Sequence, residues 1–211
     1  MTRRGFLLAA ATLAIGAAIS ISLPARADEV ANDPKALVQA FYDVLLDNMK
    51  QGETLGFEGR YDRLAPVIHR TFDVPVMAKI AIGAEWTNFP ADKKTGVLEV
   101  FDRYMISSYA ARFHSFKGQK FEVGAVKDPA ENRKLVETQL FRSNGEPVTL
   151  NYLFRPAADG NWKIIDIFLS GTISEMARMR SDFSSTVTGG GADALIQALE
   201  DKIVQIKATP D

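Results

Sequence analysis

Asn161-Trp-Lys-Ile-Ile-Asp-Ile-Phe-Leu-Ser-Gly171 is the stretch on which the reading of this chain turns. As an extended strand it carries Trp162, Ile164 and Phe168 on one side and Ile165, Ile167 and Leu169 on the other, so it is apolar on both faces. Such a strand has to be covered on both sides, by helices, a second molecule or a ligand. Two strand-like runs precede it. Residues 147–155 place Val148, Leu150, Tyr152 and Phe154 on one face and Thr149, Asn151, Leu153 and Arg155 on the other. Residues 134–142 lie before the turn Ser143-Asn-Gly-Glu146, and Asn-Gly between alternating apolar runs is a strong hairpin signal because both residues accept positive φ. A longer turn of the same chemistry, Ala157-Ala-Asp-Gly-Asn161, joins the second and third runs. With residues 119–127 as a first strand, the pattern predicts a four-stranded antiparallel meander.

Working outward, helical periodicity surrounds this sheet. Asp33-Pro34 is a helix start, and Leu37, Phe41, Val44, Leu45 and Asn48 recur at three and four up to about residue 50. Residues 52–59 contain three glycines and read as a loop before a second helix over 61–72. Asp73 caps a short third helix over 74–82, with Pro75 in its first turn and Gly83 as its stop. Only Lys79 interrupts its apolar residues, so it must be buried on more than one side. A long fourth helix over 91–113 presents Leu98, Phe101, Met105, Tyr109 and Phe113 as a stripe. After the sheet, Thr172 or Ser174 starts a helix to about Val187, Gly189-Gly-Gly191 breaks it, and a last helix runs over 192–206. The fold class is α+β: a curved antiparallel four-stranded meander covered by helices from both ends of the chain.

Composition narrows the function. The chain has no cysteine, which excludes disulfides, thiolate metal sites and thiol nucleophiles. His69 and His114 are the only histidines, and no metal site or cofactor is expected. Residues 1–27 hold Arg3, Arg4 and Arg26, an apolar stretch over 6–23 and the small-x-small site Ala25-Arg-Ala27. They read as a cleaved export signal. Thr2-Arg-Arg-Gly-Phe-Leu7 suits a twin-arginine signal, although paired arginines also open ordinary Sec signals. Residues 28–211 then form a single domain, periplasmic and soluble after cleavage. Taking those three arginines from the 25 basic residues leaves 22 against 26 acidic, a net charge of −4 and no nucleic-acid footprint.

Chemistry-bearing residues are sparse. Asp166, inside an apolar strand, is either a general base or, as is usual for a buried acid, paired with a basic residue or capping a neighbouring loop. An isomerase or hydrolase using Asp166 with Tyr152 is the enzymatic alternative; a non-lipid adaptor of a membrane transporter is a third. Arg60, Arg63 and Arg112 form either an ordinary exposed face or the rim of a pocket that attracts an anionic group. The surplus of apolar surface fits a tightly packed core or an internal cavity.

The pattern Tyr61-x-x-Leu64-x-Pro66-Val67-Ile68-x-x-x-Phe72-Asp73-x-x-x-Met77-Ala78-x-x-x-x-Gly83-x-x-Trp86 resembles the MlaC family of periplasmic phospholipid-binding proteins, known from lipid-asymmetry and toluene-tolerance pathways. Phe101, Tyr109-Ala110, Tyr152, Trp162-Lys163-x-x-Asp166, Gly171-x-x-Ser174, Arg180, Phe183, Gly191 and the run from Leu195 to Leu199 continue it. Tyr109-Ala-Ala-Arg-Phe113-His-Ser-Phe116-x-Gly118-x-x-Phe121 is closer to the hopanoid-associated HpnM branch, and inclines the expected ligand from phospholipid to hopanoid. The resemblance implies a non-enzymatic carrier that holds lipid tails in an apolar cavity. It also implies two partners, an inner-membrane lipid transporter and an outer-membrane complex. The expected lining is Phe72, Met77, Ile80, Phe101, Met105 and Tyr109 from the helices, Tyr152, Phe154, Ile165 and Ile167 from the sheet, and Met176 after it. Arg60, Arg63 and Arg112 would stand at the head-group rim.

Overall fold

A computed structural model describes residues 32–143 and 145–208. The export-signal reading of residues 1–27 lies outside them, as does Asn144 in the first hairpin turn. Four helices precede the sheet: α1 (Pro34–Lys50), α2 (Gly52–Thr71), α3 (Val74–Ile82) and α4 (Ala91–Arg112), with a 3-10 turn, Gly83–Asn88, between the last two. The sheet follows as β1 (Lys120–Lys127), β2 (Lys134–Phe141), β3 (Val148–Pro156), β4 (Trp162–Leu169) and a two-residue β5 (Ile173–Ser174). Helix α5 (Glu175–Ala208) closes the chain. The strands lie in sequence order, all neighbours antiparallel. The α+β meander expected from the pattern is therefore present, with one short strand added at its edge.

Local chemistry explains most boundaries. The Asp33 carboxylate accepts from the Lys35 amide at 2.9 Å, and Pro34 opens α1. Leu37, Phe41, Leu45 and Asn48 are buried as their spacing requires, and Val38, Tyr42 and Met49 widen the stripe. Asp73 caps α3, and Gly83 ends it at φ 74°. Ser174, not Thr172, caps α5: its hydroxyl accepts from the Ala177 amide at 2.9 Å. Gly191, at φ 62°, breaks α5 where the glycine run predicts.

Two expectations fail for physical reasons. Residues 52–59 are not a loop, because α2 begins at Gly52 and only Gly56 (φ 60°, ψ −178°) leaves helical geometry. Gly52 serves close approach: a Cβ there would lie 1.6 Å from the His114 carbonyl oxygen. The second failure is the strand said to be apolar on both faces. In β4, Asp166 pairs with Leu153 but Ile164 pairs with Phe154, so Ile165 is an extra residue forming a bulge. The alternation resets there. Ile164, Ile167 and Leu169 share the face of Phe154, Tyr152 and Leu150, while Asp166 and Phe168 share the other with Leu153 and Asn151. Helices α1, α3 and α4 pack on the first face, where Phe41, Tyr42, Met77 and Phe101 join the core. Phe72 and Asp73 dock on the β4 edge through the Asp73 amide, which donates to the Ile164 carbonyl at 2.8 Å.

Gly52→Ala should force α2 from the chain after α4. The expected loss is about 1–3 kcal/mol by urea unfolding, and an unchanged midpoint would show that the approach is not close.

Candidate functional site

Between the sheet and the helices lies an apolar cavity of about 100 Å³. Helix α4 supplies most of one wall through Phe101, Tyr104, Met105, Ser108, Tyr109 and Arg112, one face at spacings of three and four. Leu150 and Tyr152 of β3 and Ile167 and Leu169 of β4 form the opposite wall. Met77 of α3, Phe113 and the first turns of α5, with Glu175, Met176 and Met179, complete it.

Of the expected lining, Met77, Phe101, Met105, Tyr109, Tyr152, Ile167 and Met176 face this cavity. Four others do not. Phe72 is buried in the core, its ring edge-on to Phe41 at 5.1 Å and tilted on Tyr109 at 5.9 Å. Phe154 is fully buried beside Ile164, Ile80 packs half-buried on the outside of the core, and the bulge removes Ile165 from the row that Ile167 occupies. At the rim, Arg112 lines the cavity, but Arg60 is fully buried and donates to the carbonyls of Ala110 (2.9 Å) and Gly52 (2.8 Å). It ties α2 to α4 and cannot meet a head group. Arg63 pairs with Asp47 on the surface. Tyr104, Ser108 and Phe113 were absent from the expected lining, as were Leu150, Leu169, Glu175 and Met179. Most were legible: Tyr104 and Ser108 share the α4 face of Phe101 and Met105, and Leu150 and Leu169 alternate with Tyr152 and Ile167.

A layer of rings floors the cavity. Phe41 meets Tyr109 edge-on at 5.4 Å, and Tyr109 stacks on Phe113 at 5.8 Å and 17°. Tyr42 stacks on Phe121 at 4.3 Å, and its hydroxyl shares a 2.6 Å hydrogen bond with Thr138. Burial pushes the Tyr42 hydroxyl up to about 12 and also raises those of Tyr109 and Tyr152. These groups are therefore neutral walls, not proton carriers, near neutral pH.

Asp166 is buried and points away from Tyr152, on the opposite face of the sheet. Its carboxylate accepts from Ser174 Oγ at 2.5 Å and from the amides of Ile167 (2.7 Å) and Met176 (3.2 Å). It caps the start of α5, so the pairing with Tyr152 required by an enzymatic reading is not formed. Glu175, also buried, is held by Arg178 through two hydrogen bonds of 2.9 and 2.6 Å. Among the described residues no cluster of His, Asp and Glu could hold a metal ion.

The family model described as MlaC protein matches residues 39–201. The chain belongs to the MlaC family. That family consists of periplasmic, non-enzymatic lipid carriers. A solved phospholipid-binding protein from Ralstonia solanacearum, in complex with a phospholipid, shares the fold of this MlaC-family chain at a TM-score of 0.71 and 22% identity. The match covers 82% of this chain and 98% of that one. No curated protein matches significantly. Among the described residues, no helix is long and apolar enough to cross a membrane.

The buried tyrosines predict alkaline lability. The unfolded chain gives up the protons of Tyr42, Tyr109 and Tyr152 near pH 10 and the folded one only above it, so raising the pH favours unfolding. Tyr42 alone, raised from 10.0 to about 12, contributes about 3 kcal/mol that is complete below pH 10 and lost as pH approaches 12. Urea unfolding at stepped pH should show that loss, with tyrosinate absorbance rising together with unfolding. A stability unchanged between pH 10 and pH 12 would contradict it.

Proposed function

We propose that this chain carries a phospholipid through the periplasm between the inner and outer membranes, its acyl chains held between α4 and the β3–β4 face. Residues 1–27 are removed as an export signal, and residues 28–211 act as the lipid-binding domain. The observation that carries this reading is the cavity wall itself: four of the chain's six methionines, Met77, Met105, Met176 and Met179, together with rings and leucines. Thioether side chains adapt to irregular apolar shapes, which suits tails of varied length and unsaturation. Each methylene left in water costs about 0.8 kcal/mol, so a sixteen-carbon tail in transit needs roughly 12 kcal/mol of apolar cover. Family membership and the phospholipid complex of the Ralstonia relative support the same class of cargo.

A hopanoid is the second reading, and the stacked Tyr109–Phe113 pair favours it by offering a flat wall. Only Tyr109 and Phe113 of the four rings in the segment Tyr109 to Phe121 line the cavity, however. Phe121 is committed to Tyr42, and Phe116 is 41% exposed beneath Lys50. Phospholipid is therefore preferred. An inner-membrane transporter and an outer-membrane complex would donate and receive the lipid.

Native mass spectrometry and lipid extraction of gently purified protein should recover phospholipid, and loading from vesicles with equimolar hopanoid should leave most of it in place. Displacement by hopanoid would reverse the choice of cargo. Partner binding with no lipid at all would support an adaptor instead. Ile167→Trp should lower lipid content while unfolding remains cooperative. If Ile167 is ordinary core, the change should instead cost about 1–3 kcal/mol with lipid content unaltered.

A further inference from the structure

The apolar cavity has a polar neighbour. Tyr104, Ser108 and Arg112 also line a second, more polar cleft of about 320 Å³ between the last turns of α4 and the C-terminal part of α5, where Lys202 stands on the other bank. Two cations thus line one cleft that shares Tyr104, Ser108 and Arg112 with the cavity. Most other basic side chains along these helices are neutralised: Arg103 by Glu200, Lys207 by Glu58, Lys93 by Asp193 and Arg178 by Glu175 and Asp182. Arg112 and Lys202 make no side-chain ion pair or hydrogen bond among the described residues. Three acids of α5 are engaged elsewhere, Glu175 with Arg178, Glu200 with Arg103, and Asp201 with the Gln197 amide at 2.9 Å. Ser108 spends its hydroxyl proton on the Tyr104 carbonyl at 2.8 Å, whereas the Tyr104 hydroxyl has no hydrogen-bond partner among the described residues. The negative end of the α4 dipole also lies here, so side-chain cations and not the backbone must attract an anion.

We infer that this cleft is a phosphodiester subsite: Arg112 and Lys202 hold the phosphate of a lipid whose tails enter the adjoining cavity, with the Tyr104 hydroxyl as a further donor. The inference rests on the lipid-carrier reading and assigns the residues that hold the phosphate of its cargo. A guanidinium offers two parallel donors to phosphate oxygens and an ammonium a point charge, which together fit a phosphodiester better than a neutral hydroxyl. It also replaces the expected rim of Arg60, Arg63 and Arg112 with one that only Arg112 shares.

The test is competitive loading of the mature chain from nonionic-detergent micelles holding equal phosphatidylglycerol and diacylglycerol with identical tails. Wild-type protein should prefer phosphatidylglycerol. The double substitution Arg112→Gln with Lys202→Gln should lower the loaded ratio of phosphatidylglycerol to diacylglycerol about tenfold, and Arg112→Lys with Lys202→Arg should restore most of it. Added salt should lower the ratio in wild type and hardly at all in the Gln variant. A ratio near one in wild type, or one that the Gln substitutions do not change, overturns the subsite while leaving the carrier reading intact. An equal loss of both lipids in the Gln variant, with lowered thermal stability, also overturns it, because Arg112 is then only part of the wall. Failure of wild type to take either lipid ends both readings. Glycerophosphate, which has the phosphate without tails, separates the sources. Weak or absent binding supports a lipid head group, and binding as tight as the lipid's, lost in the Gln variant, assigns the cleft to free phosphate instead.

Discussion

One extra residue in β4 sets the geometry on which everything else depends. With regular alternation, residues 162–169 would divide their apolar side chains between two faces, and Asp166 would share a face with Ile164. The bulge at Ile165 instead puts Ile164, Ile167 and Leu169 on the face that the helices cover, and sends Asp166 to the other. The consequences reach both ends of the chain. The apolar face receives α1, α3 and α4 and forms the cavity wall. On the other face, Asp166 collects Ser174 and the Met176 amide and so fixes the start of α5. Breaking that carboxylate's contacts would leave buried donors unpaired, which costs far more than the net worth of the bonds.

The cavity is small for its proposed cargo. About 100 Å³ compares with the roughly 300–1,000 Å³ of pockets that enclose drug-sized ligands. A lipid tail therefore enters only if the wall yields. The elements that would yield differ in how tightly they are held. On the aromatic side, Phe41 and Phe72 stand behind the lining and brace Tyr109 and Tyr152 through edge-on contacts. The side toward α5 is different. Met176 and Met179 are unbranched side chains with low barriers to repacking, whereas the later part of α5 is fixed by the buried Leu195, Leu199 and Ile203 as well as by exposed ion pairs to α4 such as Arg103–Glu200 and Lys93–Asp193. Gly191 adds a break in α5 between those methionines and the ion pairs. The physical division is between a rigid aromatic floor and an adaptable methionine side.

Much of this was legible in sequence because local rules and burial agree. Asp33-Pro34, Asp73 and Gly83 act as caps and stops for reasons that involve only their neighbours, and the α4 face from Phe101 to Arg112 follows from helical spacing. What was hidden depends on contacts distant in the chain. The glycines of 52–59 signal a loop, yet Gly52 is there because the His114 carbonyl presses on the helix. Arg60 has the spacing of a surface cation, and only the fold shows it sealed between α2 and α4. The bulge carries no glycine to announce it, so alternation sorts residues 166–169 correctly among themselves but puts Ile164 on the wrong face. Lys202 was not singled out for the same reason: nothing in the sequence says that the end of α5 lies beside the end of α4.

The central claim is that lipid tails lie among the methionines between α4, α5 and the β3–β4 face. Methyl-labelled methionine makes it directly measurable, since the six methionines include four on the cavity wall and Met49 away from it on α1. In protein loaded with phosphatidylethanolamine, nuclear Overhauser contacts should connect acyl-chain protons to the methyls of Met77, Met105, Met176 and Met179, and leave Met49 without them. Bound lipid that touches none of those four methyls would place the tails elsewhere and contradict the account.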